Sequence, residues 1–224
     1  MKYKNIKEGL FVKRLNRFIA IVSIDGVEEV VHVKNTGRLG ELLVEGVKVF
    51  VEESDNPSRK TKYDLISVYK GDVLYNIDSQ APNKVFGEYI AKLFNDVRLI
   101  KPECRYKSSR FDFYFEYKDK KAFIEVKGVT LEKDGVMLFP DAPTERGVKH
   151  IKELCDCVKE GYEAYAVFVI AADAGMYFTP NEERHKEFAQ ALKRAKESGV
   201  KIIAVNCIVD KDSIKIKDNI EVRI

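Results

Sequence analysis

Two acidic residues and a lysine stand among β-forming apolar residues in the stretch RFDFYFEYKDKKAFIEVKG, at positions 110–128. The dipeptide KD at 118–119 fits the two-residue loop of a β-hairpin, the commonest connection between antiparallel strands. In that register Asp112 lies opposite Glu125, and because side chains alternate along a strand, Lys127 falls on the same face. The other face is apolar and is expected to pack a core: Phe111, Phe113, Phe115, Ala122, Ile124 and Val126.

A divalent cation would relieve the charge conflict between these carboxylates. Like charges opposed across two strands are unfavourable by roughly 0.2–1 kcal/mol. Mg²⁺ is commonly held by one or two carboxylates with water and phosphate oxygens, and it can activate a bound water and neutralise charge on a phosphate. We therefore expect Mg²⁺ or Mn²⁺ on Asp112 and Glu125. Glu88, on the preceding helix, is expected to close the site.

Lys127 is expected to orient the attacking water or to stabilise charge on the reacting phosphate, because its ammonium is a compact positive charge. The alternative is a solvated sheet face, on which Glu125 and Lys127 form an ordinary i, i+2 charge pattern. The residues alone leave both interpretations open.

The elements around this hairpin predict an α/β domain with a mixed sheet over residues 81–224. KVFGEYIAKLFN has helical spacing, with Asn83 as a possible N-cap, and strand-like runs follow it. Then come the helix TERGVKHIKELCDCVKEG, the strand EAYAVFVI, the helix NEERHKEFAQALKRAKESG and the strands KIIAVNCIV and SIKIKDNIEVRI. The last strand is a possible sheet edge, which would allow a homodimer.

The start of the second of these helices carries several charged residues in FPDAPTERGVKHI. Thr144 is a plausible N-cap, and Glu145 and Lys149 are four residues apart, so they could simply form a surface ion pair. Alternatively, this helix start points at the carboxylates and contacts a phosphate or positions water, with Asp141 as a further ligand. The side chains concerned are Glu145, Arg146, Lys149 and His150.

The first 80 residues predict a small OB-like β-barrel. Five or six short strand-like runs follow one another without a long helix, and Asp25-Gly26 between two of them is a strong hairpin signal. Basic residues cluster where strands end, with aromatic residues nearby, as in barrels that hold nucleic acid by its backbone. The predicted nucleic-acid contacts are Arg14, Arg17, Lys34, Asn35, Thr36, Arg38, Arg59, Lys60 and Lys62, with Arg146 from the second segment. Acidic residues nearly balance these charges, so ordinary solvated loops are the competing interpretation.

Composition limits the function classes. The net charge is +3, so any nucleic-acid binding must come from local patches rather than from a global positive field. No run of 18 apolar residues predicts a membrane helix, and the first residues lack a signal-peptide pattern, so we expect a cytoplasmic protein. The four cysteines are expected to be free thiols.

The residues also carry a family resemblance. Asp112, Glu125 and Lys127, in a unit of helix, three strands, helix and strand, resemble the PD-(D/E)xK site of restriction-type nucleases, although Phe111 replaces the proline of that motif. More closely, FIEVKGVTL, FPDAPTERG and HVKNTGRLGELL resemble the sugar fermentation stimulation protein A family, over nearly the whole chain. The resemblance implies an OB-like barrel followed by a restriction-endonuclease-like domain, and a role in DNA binding with a regulatory effect on sugar metabolism.

Three functions remain open at this point. The first is a DNA-binding protein, largely nonspecific for sequence, with a Mg²⁺-dependent site that hydrolyses phosphodiesters as an endonuclease or exonuclease. The second is a non-catalytic DNA-binding regulator of sugar metabolism that retains the nuclease fold. The third is an enzyme that acts on a small phosphorylated substrate.

Overall fold

The computed structural model describes residues 1–224, which form fifteen strands and three helices. The first six strands build the predicted barrel. In spatial order they run β3-β2-β1-β4-β5-β6, and a parallel pairing of β3 with β5 closes the sheet on itself. The strands are β1 (Ile6–Arg14), β2 (Ile19–Ile24), β3 (Val27–Val33), β4 (Lys48–Glu53), β5 (Tyr63–Lys70) and β6 (Val73–Asn76).

Alternation of apolar residues fills the barrel. Ala20, Val22 and Ile24, at every second position of β2, are buried in its interior. The Asp25-Gly26 hairpin is confirmed, since Ile24 pairs with Val27 across it. Both turn residues have positive φ, 52° and 81°, as a two-residue hairpin turn of this hand requires.

The rest of the chain forms a nine-stranded mixed sheet with three helices, which confirms the restriction-endonuclease-like α/β prediction. We call it the sheet domain. Its elements are α1 (Ala81–Leu93), β7 (Val97–Tyr106), β8 (Ser109–Tyr117), β9 (Lys120–Val129), β10 (Leu131–Lys133), β11 (Val136–Phe139), α2 (Glu145–Lys159), β12 (Glu163–Ile170), β13 (Tyr177–Pro180), α3 (Lys186–Glu197), β14 (Lys201–Asp210) and β15 (Ser213–Val222). The order across the sheet is β10-β11-β13-β15-β14-β12-β9-β8-β7.

The helices cover the two faces of this sheet. From α1, Val85, Phe86 and Ile90 pack in one buried cluster with Ile124 and Val126 of β9. On the opposite face α2 and α3 pack against β12 and its neighbours in a second cluster. Neither these helices nor any other is long and apolar enough to cross a membrane.

Two sequence predictions about this domain are wrong. The third helix begins at Lys186 rather than at 181, because the short strand β13 and a turn precede it. The final strand β15 is not a sheet edge, since it lies between β14 and β13. On that side two residues at the end of β15 pair with β13, Glu221 with Tyr177 and Val222 with Phe178.

Candidate active site

The β8–β9 hairpin has the predicted register as far as its ladder extends. Pairing runs from Tyr117 with Lys120, next to the turn, to Phe113 with Ile124. At the next position the side chain of Asp112 replaces the backbone pairing: its Oδ2 accepts a hydrogen bond from the backbone N–H of Val126 at 2.7 Å. Asp112 thus lies where the two strands separate.

The separation changes the side of the sheet on which one residue lies. Phe111 was assigned to the face that carries Phe113, yet its ring is 5.5 Å from that of Phe123 and 6.0 Å from the imidazole of His150, on the α2 side. The prediction for Phe111 is wrong because strict alternation does not continue past the end of the β8–β9 ladder. Asp112 is consequently turned toward α1, where Asn83 Nδ2 donates to its Oδ1 at 2.6 Å. The prediction that Asp112 pairs with Glu125 on one face of the hairpin is therefore wrong, because the ladder ends at Phe113–Ile124.

Glu125 lies on the α2 side and is only 3% exposed. Its Oε1 accepts hydrogen bonds from His150 Nδ1 at 2.5 Å and from the ammonium of Lys127. Its Oε2 is buried and has no hydrogen-bond partner. A buried, ionised oxygen without a donor is costly, so this atom is the strongest sign that a further positive group binds here.

The charges of the two carboxylates are coupled. Burial first, and the charge of Glu125 second, raise the pKa of Asp112 to about 6. Burial also acts to raise the pKa of Glu125, but His150 and Lys127 outweigh it and hold that pKa below its usual value. The site therefore has an ionised glutamate and an aspartate that stays protonated to a higher pH than usual. Such a pair indicates a site with too little positive charge for two carboxylates.

These residues fit a hard divalent cation. Such ions take oxygen ligands, above all carboxylates, and the unpartnered Glu125 Oε2 together with the Asp112 carboxylate offers them. Gly128 allows the start of α1 to approach this end of β9, since a Cβ there would come within 2.8 Å of Pro82.

Glu88 does not join the site, contrary to the prediction. It lies five residues beyond Asn83, about 7.5 Å further along the axis of α1. Its exposed carboxylate pairs with the Met1 ammonium at 2.7 Å. Asn83, which was expected to be an N-cap, is instead inside α1, because the helix already starts at Ala81.

At the start of α2 the N-cap prediction is confirmed, since Thr144 Oγ1 accepts from Gly147 N at 3.1 Å. Of the four side chains expected to reach the carboxylates, only that of His150 does. Arg146 Nε lies 3.4 Å from His150 Nε2, so it is one residue removed from Glu125. Lys149 contacts the Ser108 carbonyl at 3.4 Å.

Glu145 is 80% exposed and faces His185 at 3.5 Å. With Glu187 these two residues form a second group whose ligand atoms lie within 4.8 Å of one another. A metal fits less well there, because His185 Nδ1 is the acceptor for Thr144 N–H at 3.3 Å, which leaves the proton on the nitrogen that faces Glu145.

Most of the barrel residues predicted to bind nucleic acid are held within the barrel. Arg14 uses all five of its N–H groups on backbone carbonyls, those of Asn16, Arg17, Asn35, Gly37 and Arg38. It orders the loop of residues 35–38 instead of facing a ligand. That correction follows from a saturated guanidinium, which a sequence does not reveal.

Four more of these residues are similarly engaged. Arg59 binds Asp64 with two hydrogen bonds, and Lys34 lies within 3.8 Å of three carboxylates. Lys62 pairs with Glu53 at 3.0 Å, and Asn35 bonds to Gly37 N and to the Ile77 carbonyl. The remaining predicted contacts in the barrel are exposed: Arg17, Thr36, Arg38 and Lys60.

The loop of residues 35–38 lies against the segment that leads into α2. A Cβ on Gly37 would come within 3.0 Å of Asp141 Oδ2 and of Asn35 Oδ1, so the absence of a side chain favours this approach. The two motifs HVKNTGRLGELL and FPDAPTERG, far apart in sequence, therefore meet at Gly37 and Asp141.

Comparisons with known proteins agree with this architecture. A model of the "SfsA N-terminal OB domain" matches residues 12–77, and one of the "Sugar fermentation stimulation protein RE domain" matches residues 80–213. A sugar fermentation stimulation protein homolog of Clostridium beijerinckii is 62% identical over 99% of both chains, and one of Ruminiclostridium cellulolyticum is 58% identical over 100% of both. Among solved structures, that of Pyrococcus furiosus SfsA in complex with Ca²⁺ matches with a TM-score of 0.89 at 29% identity, covering 100% of this chain and 98% of that one.

Proposed function

Since the chain belongs to the sugar fermentation stimulation protein family, we propose that it is a DNA-binding protein, largely nonspecific for sequence, whose sheet domain carries a divalent-metal-dependent site for phosphodiester hydrolysis. The observation that carries this proposal is the buried Glu125 Oε2 without a donor, beside a second carboxylate whose pKa is raised to about 6. A surface that only held DNA would gain nothing from two carboxylates at this position.

Four side chains have distinct roles in the proposed site. Asp112 and Glu125 would hold Mg²⁺ or Mn²⁺, while His150 and Lys127 fix the orientation of Glu125 through its other oxygen. When bound, such an ion lowers the pKa of a coordinated water and offsets charge on a phosphate. Lys127, 17% exposed, holds a positive charge beside the carboxylates, where it can stabilise a pentacovalent phosphate.

The P. furiosus protein was solved with Ca²⁺, which supports an oxygen-donor metal site in this family. Ca²⁺ and Mg²⁺ share carboxylate ligands and differ in size and coordination number. The OB fold of the barrel supports the proposal that the substrate is a nucleic-acid strand, because OB folds commonly bind oligonucleotides.

The test is to incubate the purified protein with plasmid and with circular single-stranded DNA, in Mg²⁺ or Mn²⁺ and in EDTA. We expect metal-dependent cutting that is lost in Asp112→Asn and Lys127→Ala, with DNA binding in EDTA retained by both variants. If the protein binds metal and DNA but cuts neither substrate, the hydrolytic part of the proposal fails and a non-catalytic regulator is left.

A further inference from the structure

An open cleft lies between the β7–β8 turn and the start of α2. We call it the basic cleft; it encloses about 700 Å³ and is lined by Arg105, Ser108, Ser109, Arg110, Glu145, Arg146, Lys149 and His150. No apolar side chain lines it, and four cations face a single carboxylate. A cleft of this kind attracts an anion and offers no apolar surface to a ligand.

Three of these cations have no carboxylate within 4.0 Å. The only side-chain hydrogen bonds of Arg105, Arg146 and Lys149 are long ones, of 3.4–3.5 Å, to the Lys107 carbonyl, to His150 Nε2 and to the Ser108 carbonyl. The fourth cation, Arg110, pairs with Glu103 at 2.7 Å. By contrast, three cations of the barrel already have close carbonyl or carboxylate partners: Arg14, Lys34 and Arg59.

A second observation also points to a ligand. Ser109 lines the cleft and is only 7% exposed, and its hydroxyl has no hydrogen-bond partner. Buried hydroxyls are normally paired, so an unpaired one in a residue that lines the cleft is a second sign of a ligand there.

The cleft adjoins Glu125 through one residue. His150 lines the cleft and donates to Glu125 Oε1, while its other ring nitrogen lies 3.4 Å from Arg146 Nε. A strand whose phosphodiester lies at Asp112 and Glu125 would therefore place neighbouring phosphates within reach of these cations.

We propose that the basic cleft binds the phosphodiester backbone of a nucleic-acid strand beside the carboxylate site. This inference rests on the proposed function and adds where the strand is held: on the β7–β8 turn and α2 rather than mainly on the barrel loops. Cations that contact phosphates position a strand without reading its bases, so this surface accounts for binding that is indifferent to sequence.

The experiment removes two exposed cations of the cleft with Arg105→Gln/Lys149→Gln. The matched control is Arg194→Gln/Lys211→Gln, which also removes one exposed arginine and one exposed lysine, outside the cleft. Binding of a labelled 20-base-pair DNA is measured in EDTA between 50 and 200 mM NaCl. We expect the cleft variant to lose at least tenfold in affinity at low salt and its salt slope to fall by about 2, since each phosphate contact contributes about 0.9. The control stays within twofold of the wild type.

The outcomes separate this inference from the proposed function. The proposal that the cleft binds DNA is overturned if the cleft variant binds within twofold of the wild type, or if the control loses as much affinity as the cleft variant. This holds even if the protein cuts DNA with Mg²⁺. If the cleft variant loses binding but the protein never cuts DNA, the proposed role of the cleft is supported and the proposed hydrolysis is rejected. A wild type that does not bind DNA at 50 mM salt overturns both.

Discussion

At the scale of single residues, the orientation of Glu125 depends on a chain of two donors. Arg146 Nε–H points to His150 Nε2, so the imidazole proton is on Nδ1, from which it is donated to Glu125 Oε1. A histidine held in this way fixes one carboxylate oxygen and leaves the other without a partner. Residues behind a metal ligand commonly act like this, and their loss weakens metal binding without removing a ligand.

We therefore expect His150→Ala to lower Mn²⁺ affinity by about 10–100-fold, since Glu125 can then rotate. Isothermal titration calorimetry measures this directly. His185→Ala is the control, because that histidine is also packed near the start of α2 but contacts neither carboxylate. His150→Gln, which keeps a donor, should recover part of the affinity. Unchanged affinity in His150→Ala would show that Lys127 alone orients Glu125.

The ionised carboxylate of Asp112 destabilises the folded protein when no metal is bound. Its pKa, about 6 in the fold against about 3.9 in an unfolded chain, means that stability falls as pH rises from 4 to 6 and stays lower above that. The ionised carboxyl costs on the order of 3 kcal/mol at pH 8.

For that reason Asp112→Asn should unfold at equal or higher urea concentration than the wild type at pH 8 in EDTA, and the advantage should disappear at pH 4. Added Mn²⁺ should stabilise the wild type and leave the variant unchanged. Asp119→Asn, at the exposed tip of the same hairpin, is the control for both conditions. A large loss of stability in Asp112→Asn would mean that the ionised carboxylate is needed to hold the separated strands.

At the scale of elements, periodicity and turn chemistry made the hairpin predictable. A two-residue loop and strict alternation specify the register from Tyr117–Lys120 to Phe113–Ile124. They do not specify where the ladder stops, because that depends on the bond of Asp112 to Val126 N and on Asn83, which comes from a different element.

The loops were predictable only in composition. A basic loop residue looks the same in sequence whether it faces solvent or, like Arg14, is saturated by five carbonyls. The same limit explains the missed Arg105 and Arg110, whose place beside α2 arises from tertiary packing. His150 was distinguishable only as a polar residue on the apolar stripe of α2.

The closure of the barrel depends on a charge cluster around Asp64, at the start of β5. Burial acts to raise the pKa of this carboxyl, but Arg59, His32 and Lys34 outweigh it and lower the pKa to about 2. His32 lies opposite Asp64 in the β3–β5 pairing, so the cluster ties together the strands that close the barrel.

Stability from this cluster is present above pH 4 and is lost as pH falls from 4 to 2, by roughly 1–2 kcal/mol once solvent screening is allowed for. We expect Asp64→Asn to be less stable than the wild type at pH 7, with the difference shrinking below pH 4. Urea unfolding at several pH values measures it. Glu45→Gln, which removes an exposed acid of the same barrel, should show no such trend. A difference that stays constant from pH 7 to pH 2 would rule out the charge cluster as its origin.

At the scale of the whole molecule, the barrel and the sheet domain share a core. One buried cluster runs from Phe11 and Leu65 of the barrel to Phe168 and Leu192 of the sheet domain. Backbone and side-chain bonds also cross the junction, from Asn76 N to the Ala171 carbonyl and from Lys70 to Glu132. The barrel and the sheet domain are therefore joined by buried packing as well as by hydrogen bonds.

Tyr3 is the residue on which this coupling can be tested. Its backbone N–H bonds to the Asp212 carbonyl of the sheet domain, and its hydroxyl accepts from Asn76 of β6 at 2.9 Å. Its ring is buried with Ile66 of the barrel and Ile214 of β15. The first residues of the chain thus pair with the sheet domain before the barrel begins.

We expect Tyr3→Ala to cost about 3–5 kcal/mol, as loss of a buried aromatic ring usually does, and to destabilise both domains together. Hydrogen exchange followed by mass spectrometry should show equal loss of protection in β5 and in β14, because opening either domain exposes the shared core. Tyr3→Phe keeps the ring and loses only the hydroxyl bonds, so its effect should be near 1 kcal/mol. If β5 kept its protection while β14 lost it, the two domains would unfold independently. The contact between the barrel loop of residues 35–38 and Asp141 would then not be fixed by the fold.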